Sequence, residues 1–147
     1  MNYTPGMIFQ ADVQEFHEAM GQTVGDYLHP ALADHALRAD LITEEYSELM
    51  EALGNDDLIE AVDAMCDLIY VVLGTAVAAG VELIPAWYEV HGSNMQKAHG
   101  PVGENGKRLK PPDWEPPDIE DAIRRGTNWA ERQLRALESM PEVADGW

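Results

Sequence analysis

Between Glu44 and Asp67 the chain carries nine acidic residues and no Lys or Arg, and neither occurs anywhere between Arg38 and Lys97. An acidic surface helix ordinarily interleaves lysines as i,i+4 partners. A run without them asks for a counter-charge from elsewhere. Glu44 and Glu48 are i,i+4, and Glu45 and Glu48 are i,i+3, so these three adjoin on one helix face. Further on, Glu60, Asp63 and Asp67 stand at i, i+3 and i+7, again on one face, beside the apolar Val62 and Ile69. Acids at the border of a packed face are costly unless paired or bound to metal. Two antiparallel helices can turn these two sets toward each other. Hard carboxylate oxygens select Mg²⁺ or Mn²⁺, and a cluster of this size suits two ions roughly 4 Å apart. Glu51, Asp56 and Asp57 are assigned to capping and solubility. The plainer alternative for the whole run is a solvated acidic face.

The basic residues are grouped elsewhere. Four of the nine fall at Lys97, Lys107, Arg108 and Lys110. Asn94 and Lys97 are i,i+3 and can point the same way, and Arg38 precedes Glu45 by two helical turns on the same face. Carboxylates with metal, ringed by cations and an amide donor, make a site for polyphosphate. Trp114, Trp87, Phe16 and Tyr88 offer a stacking wall for a base, although aromatic residues at helical spacing more often pack in a core. His17, His29, His35 and His99 lack zinc spacing, and no HExxH, phosphate-binding Gly loop or GxGxxG occurs. Cys66 sits in an apolar stretch and reads as packing.

Helices must position these residues. Val13, Phe16 and Met20 predict a helix over 11–20, after a loose lead-in at 1–10. Residues 21–30, with Gly21, Gly25 and Pro30, read as a connection. A long helix follows over about 31–53, with Leu37, Leu41, Leu49 and Leu53 on its apolar side. Gly54-Asn55-Asp56 is a stop and turn in which Asp56 or Asn55 would cap the next helix. That helix spans about 57–79, with Leu58, Val62, Met65, Ile69, Val72 and Ala76 as its apolar stripe, and Gly80 closes it. A fourth runs over about 84–97, with Pro85 in its first turn. Residues 98–117 hold three Gly and five Pro and read as an ordered loop or flap. Residues 118–139 read as a last helix, weakened at Gly126. The expectation is an all-α bundle of four or five helices in a single domain, with its core over about 11–117.

Composition narrows the function. The chain has 147 residues, with Lys+Arg 9 and Asp+Glu 27, and a net charge of −18. That balance argues against nucleic acid, which needs a basic footprint, and against an anionic membrane. The uncharged stretch 68–81, between Asp67 and Glu82, is shorter than the roughly 20 residues a bilayer needs and reads as a helix buried in a bundle. One cysteine excludes an intramolecular disulfide. With no basic-then-apolar start, the expectation is a cytoplasmic protein.

Three ordered segments resemble the all-α NTP pyrophosphatase superfamily of MazG-like proteins, dimeric dUTPases and phosphoribosyl-ATP pyrophosphohydrolases. Glu44-Glu45-Tyr46-Ser47-Glu48 matches its EExxE motif. Asp63 to Asp67, followed by the apolar run, is similar to its second metal helix. Glu89-Val90-His91-Gly92-Ser93-Asn94-Met95-Gln96-Lys97 is similar to an EVHRSNxSK segment. Asn105-Gly106-Lys107, Lys110-Pro111 and Trp114-Glu115-Pro116-Pro117 resemble the DGKxLKP and WxPPD tail of the dUTPase-related branch. Phe16-His17-Glu18-Ala19-Met20-Gly21 resembles that branch's first helix. The chain departs from the pattern at Ala64, where the family has Glu, and at Gly92, where it has Arg.

The resemblance implies Mg²⁺-dependent hydrolysis of a nucleoside triphosphate between the α and β phosphates, giving monophosphate and pyrophosphate, with an activated water attacking. It implies metal ligands at Glu44, Glu45, Glu48 and Asp67. Asp63 and Glu60 are the candidate substitutes for the Glu missing at position 64. It further implies that Asn94, Lys97, Lys107 and Lys110 face the phosphates and that Trp114 closes the loop, with Arg38 added from its spacing. Glu45 is the expected general base. A deoxynucleotide, dUTP first, is the expected substrate, with nucleotide-pool cleaning as the role and a homodimer or homotetramer as the assembly. The alternatives are a phosphoribosyl-ATP pyrophosphohydrolase-like enzyme and a non-catalytic helical protein that binds divalent ions.

Overall fold

A computed structural model gives the structure of the chain and describes residues 5–127. It is all-α: α1 (Pro5–Met20), α2 (His35–Gly54), α3 (Leu58–Ala79) and α4 (Leu83–Gln96), then a single 3-10 turn (Lys97–His99). A further helix, α5, begins at 119 and continues to 127; the rest of the expected last helix, 128–139, lies outside the described residues. No strand occurs among the described residues, only one isolated antiparallel bridge, Val102 with Arg108. The chain divides into two compact units, 1–81 and 82–147.

In the first unit α1 starts six residues before the expected position, at Pro5. A proline fits the first helical turn, where its missing N–H is no loss. The buried face of α1 is Gln10, Val13 and His17, whereas Phe16 and Met20 are exposed. The polar members are satisfied: Gln10 Nε2 donates to the Val81 carbonyl at 2.8 Å, and His17 Nδ1 meets the Thr23 carbonyl at 2.7 Å.

α2 begins at His35 rather than Ala31, because Asp34 adopts a left-handed conformation (φ 51°, ψ 31°) that a helix cannot include. Its carboxylate accepts from the Thr23 hydroxyl instead of capping the helix. The turn into α3 is offset by one residue from expectation. Asn55 ends α2, Asp56 turns at φ 55°, and Asp57 caps α3 by accepting from the backbone N–H groups of Ile59 and Glu60. Gly80 closes α3 at φ 66°, and a Cβ there would meet the Asp26 backbone at 2.5 Å.

α2 and α3 form an antiparallel hairpin whose packed surface differs from the expected stripe. Ala61, Ala64, Gly74 and Ala76 to Ala79 are buried with Val77, which is fully enclosed. The larger residues Leu58, Val62, Met65, Ile69 and Val72 are exposed. Small side chains let helix axes approach closely, so the alanine face is the one this chain covers. Cys66 is exposed as well, not packed, and on α2 so are Leu37 and Leu53. By length and composition alone α3 is long and apolar enough to cross a bilayer, which the fourteen-residue count missed by stopping at Asp67. Glu60, Asp63 and Asp67 lie within it. An Asp at the centre of a spanning helix costs about 2.5–3.5 kcal/mol.

In the second unit, loop 98–117 is ordered against α4. Buried Ser93 donates through Oγ to the Glu115 carbonyl (3.0 Å), and its own carbonyl accepts from Trp114 Nε1 (3.1 Å). The Arg108 guanidinium donates to the Gly100 carbonyl at 3.0 Å. Arg125 of α5 is paired with Glu89 and Asp121. Trp87 and Tyr88, expected in a core, are 68% and 56% exposed.

Candidate functional site

The hairpin brings the two acidic sets together. The Glu45 carboxyl is lifted above its ordinary value, first by desolvation, then by the negative charges of Asp67, Glu48, Glu44 and Asp63. Two of these neighbours lie on α2 and two on α3. Five of the six expected ligands therefore share one electrostatic neighbourhood with Glu45 at its centre. None of the five is in an ion pair among the described residues.

The sixth, Glu60, is not among the charges that act on Glu45. It lines a cavity of about 390 Å³ at the turn end of the hairpin, with Glu48, Glu51, Asn55 and Asp57. Of the two candidate substitutes, Asp63 is the one whose charge acts on Glu45, and Ala64 itself is buried. Among the described residues no three acidic, histidine or cysteine side chains converge closely enough to hold an ion as they stand. The donor set nonetheless fits a hard divalent cation in kind. It is all carboxylate oxygen, mutually repelling and without a basic partner. Glutamate and aspartate side chains reorient at small cost when an ion offsets that repulsion.

The expected phosphate contacts divide between the two units. In the second unit Lys97 Nζ donates to Asn94 Oδ1 at 2.7 Å, so this i,i+3 pair does point one way. Lys110 Nζ lies 3.6 Å from the centre of the Trp114 ring, a cation–π contact worth about 0.5–1 kcal/mol at an exposed site. Lys107 is exposed. Arg38 belongs to the first unit and is not a surface cation: it is buried beside His17, its Nη1 at 3.3 Å from His17 Nε2. His17 and Ser93, both buried polar residues, were not singled out by the sequence reading. Besides its place in the segment that resembles the family's first helix, His17 is spaced i+7 from Gln10 on the face of α1 that is buried.

Residues 13–94, more than half of the chain, match the phosphoribosyl-ATP pyrophosphohydrolase family. The chain belongs to that family. The match takes in every expected carboxylate, together with Arg38 and Asn94, and stops short of Lys97, Lys107, Lys110 and Trp114. A pyrophosphohydrolase acting on a nucleotide is what membership in the phosphoribosyl-ATP pyrophosphohydrolase family implies. The chain is also 34% identical over 76 residues to the uncharacterized protein L479 of Acanthamoeba polyphaga mimivirus. That stretch is 48% of this chain and 30% of that protein, so the chain spans less than a third of the relative's length.

Proposed function

We propose that this member of the family hydrolyses the bond between the α and β phosphates of a nucleoside triphosphate, using Mg²⁺ or Mn²⁺ held between α2 and α3. The observation that supports the reading is that the charges of Glu44 and Glu48 from α2 and of Asp63 and Asp67 from α3 all act on Glu45, with none of the five in an ion pair among the described residues. A divalent cation at these carboxylates supplies charge neutralisation for the phosphate oxygens. Glu45 accepts a proton from the attacking water, and its raised pKa makes it a stronger base for that purpose. The water oxygen forms a bond to the α phosphorus and the bond to the bridging oxygen breaks, so pyrophosphate leaves. Asn94, Lys97, Lys107 and Lys110 neutralise the outer phosphates, and Trp114 holds Lys110 in place.

For the substrate, the tail segment at Lys107, Lys110 and Trp114 favours a deoxynucleotide, dUTP first. The family match favours phosphoribosyl-ATP equally, and both lose the same pyrophosphate. The exposed stripe of Leu58, Val62, Met65, Ile69 and Val72 suits a homodimer or homotetramer. A charge of −18 argues against nucleic acid and anionic membranes as partners, and this reading keeps the cytoplasm as the setting. The test is a panel of the common nucleoside and deoxynucleoside triphosphates and phosphoribosyl-ATP with Mg²⁺, followed by phosphorus NMR. Pyrophosphate and a monophosphate from one class identify the substrate. No turnover of any of them, with retained divalent-ion binding, favours the non-catalytic helical protein.

A further inference from the structure

Two helical turns from Glu45 along α2 lies a second centre of the opposite sign. The Arg38 side chain is only 6% exposed. Its Nη1 is 3.3 Å from His17 Nε2, and its Nε is buried with no hydrogen-bond partner. The Thr23 carbonyl can only accept, so His17 Nδ1 carries the hydrogen and Nε2 is the lone-pair nitrogen. Nη1 therefore donates to it. No carboxylate forms an ion pair with Arg38 among the described residues. Asp34 acts on it only as a charge at longer range, and its carboxylate is engaged by the Thr23 hydroxyl.

Gly74 makes the burial possible, since a Cβ there would stand 2.9 Å from both Arg38 Nη1 and His17 Nε2. Arg38 borders a cavity of about 220 Å³, lined also by His17, Thr23, Asp34 and Leu37. That is many times the roughly 10–15 Å³ that one water requires. A guanidinium does not lose its proton, so burying it without an ion-paired anion is a desolvation cost that only the longer-range charge of Asp34 and the His17 contact offset. An oxyanion entering the cavity would bring the guanidinium an anionic partner.

We propose that Arg38, with His17 fixing the orientation of its guanidinium, forms a pocket for a small oxyanion of the phosphate type, either free or carried by a nucleotide. The test uses the full chain in excess EDTA, so that the carboxylate centre plays no part. Inorganic phosphate is titrated against chloride of equal ionic strength, with melting temperature and the Arg38 Nε–H resonance as readouts. Phosphate should raise the melting temperature and shift that resonance in the wild-type chain. R38M should bind phosphate at least about tenfold more weakly, the scale of one lost charge-assisted contact. In chloride it should melt no lower than wild type, because it removes an uncompensated buried charge. If R38M does not fold, the wild-type resonance alone decides.

A nucleoside monophosphate that displaces phosphate identifies the nucleotide as the source, and joint binding identifies a free anion; either upholds the pocket. An unmoved Nε–H resonance overturns it. So does an equal phosphate shift in R38M, or a response to a nucleoside without phosphate in place of the response to phosphate. A chain that releases no pyrophosphate but shows the Arg38-dependent shift would lose the proposed activity and keep this pocket.

Discussion

The α2–α3 hairpin carries two charged layers that are mirror images in their deficiency. The charges of four carboxylates act on Glu45, and none of the five is in an ion pair among the described residues. Around Arg38 a cation is buried without an anion. Arg38 precedes Glu45 by seven residues, and Gly74 follows Asp67 by seven, so one antiparallel register sets both layers, about 10 Å apart along the helices. They are built differently. The acidic layer comes from charged side chains on two helices. The cationic layer depends on a residue with no side chain and on a histidine from a third helix. A site can thus be laid out by what is written at its own positions, or by what the neighbouring elements omit.

The largest effects should come from breaking the acidic layer. Glu45→Gln and Asp67→Asn each delete a charge at nearly constant volume. Each is expected to lower pyrophosphate release about 100-fold or more, with the helical circular dichroism unchanged. In EDTA both should melt slightly higher than wild type, because a repelling charge has gone. Asp63→Asn should fall nearly as far, whereas Glu60→Gln, outside the field of Glu45, should stay within a few-fold. Activity kept in Asp63→Asn and lost in Glu60→Gln would move the compensating ligand to Glu60.

Next comes the cationic layer. Gly74→Ala drives a methyl group into Arg38 and His17 and is expected to cost about 1–3 kcal/mol, the range for overpacking. Urea denaturation measures it, and an unchanged midpoint would show that the guanidinium does not lie against α3. The smallest effect is Asp57→Ala, which removes the cap on Ile59 and Glu60 while touching neither layer. About 1 kcal/mol is expected.

The acidic layer was legible in the sequence because its chemistry and its helical spacing coincide, and because short turn signals at Gly54 and Gly80 fixed the hairpin around it. The cationic layer was not. Arg38 looked like one more phosphate-facing cation, since nothing in its own neighbourhood tells that Gly74 opens a place for it on α3. The apolar stripe on α3 failed for a related reason. Hydropathy marks Leu58, Val62 and Met65 as a face to bury, but close helix approach selects the alanines at 61 and 64. The hydropathy of α1 favoured Phe16 and Met20, while the structure buries Gln10 and His17, whose hydrogen bonds run to Val81 and Thr23, distant in sequence or outside any helix. Trp87 and Tyr88 show the same limit in the other unit: helical spacing alone does not say that a face is covered.

The most direct measurement of the central claim is pyrophosphate release from the substrate found in the panel, followed by phosphorus NMR with Mg²⁺ and then with excess EDTA. Monophosphate and pyrophosphate as the only products with Mg²⁺, and no turnover after chelation, is the predicted result. Orthophosphate with a nucleoside diphosphate, or a rate unchanged by EDTA, would contradict it.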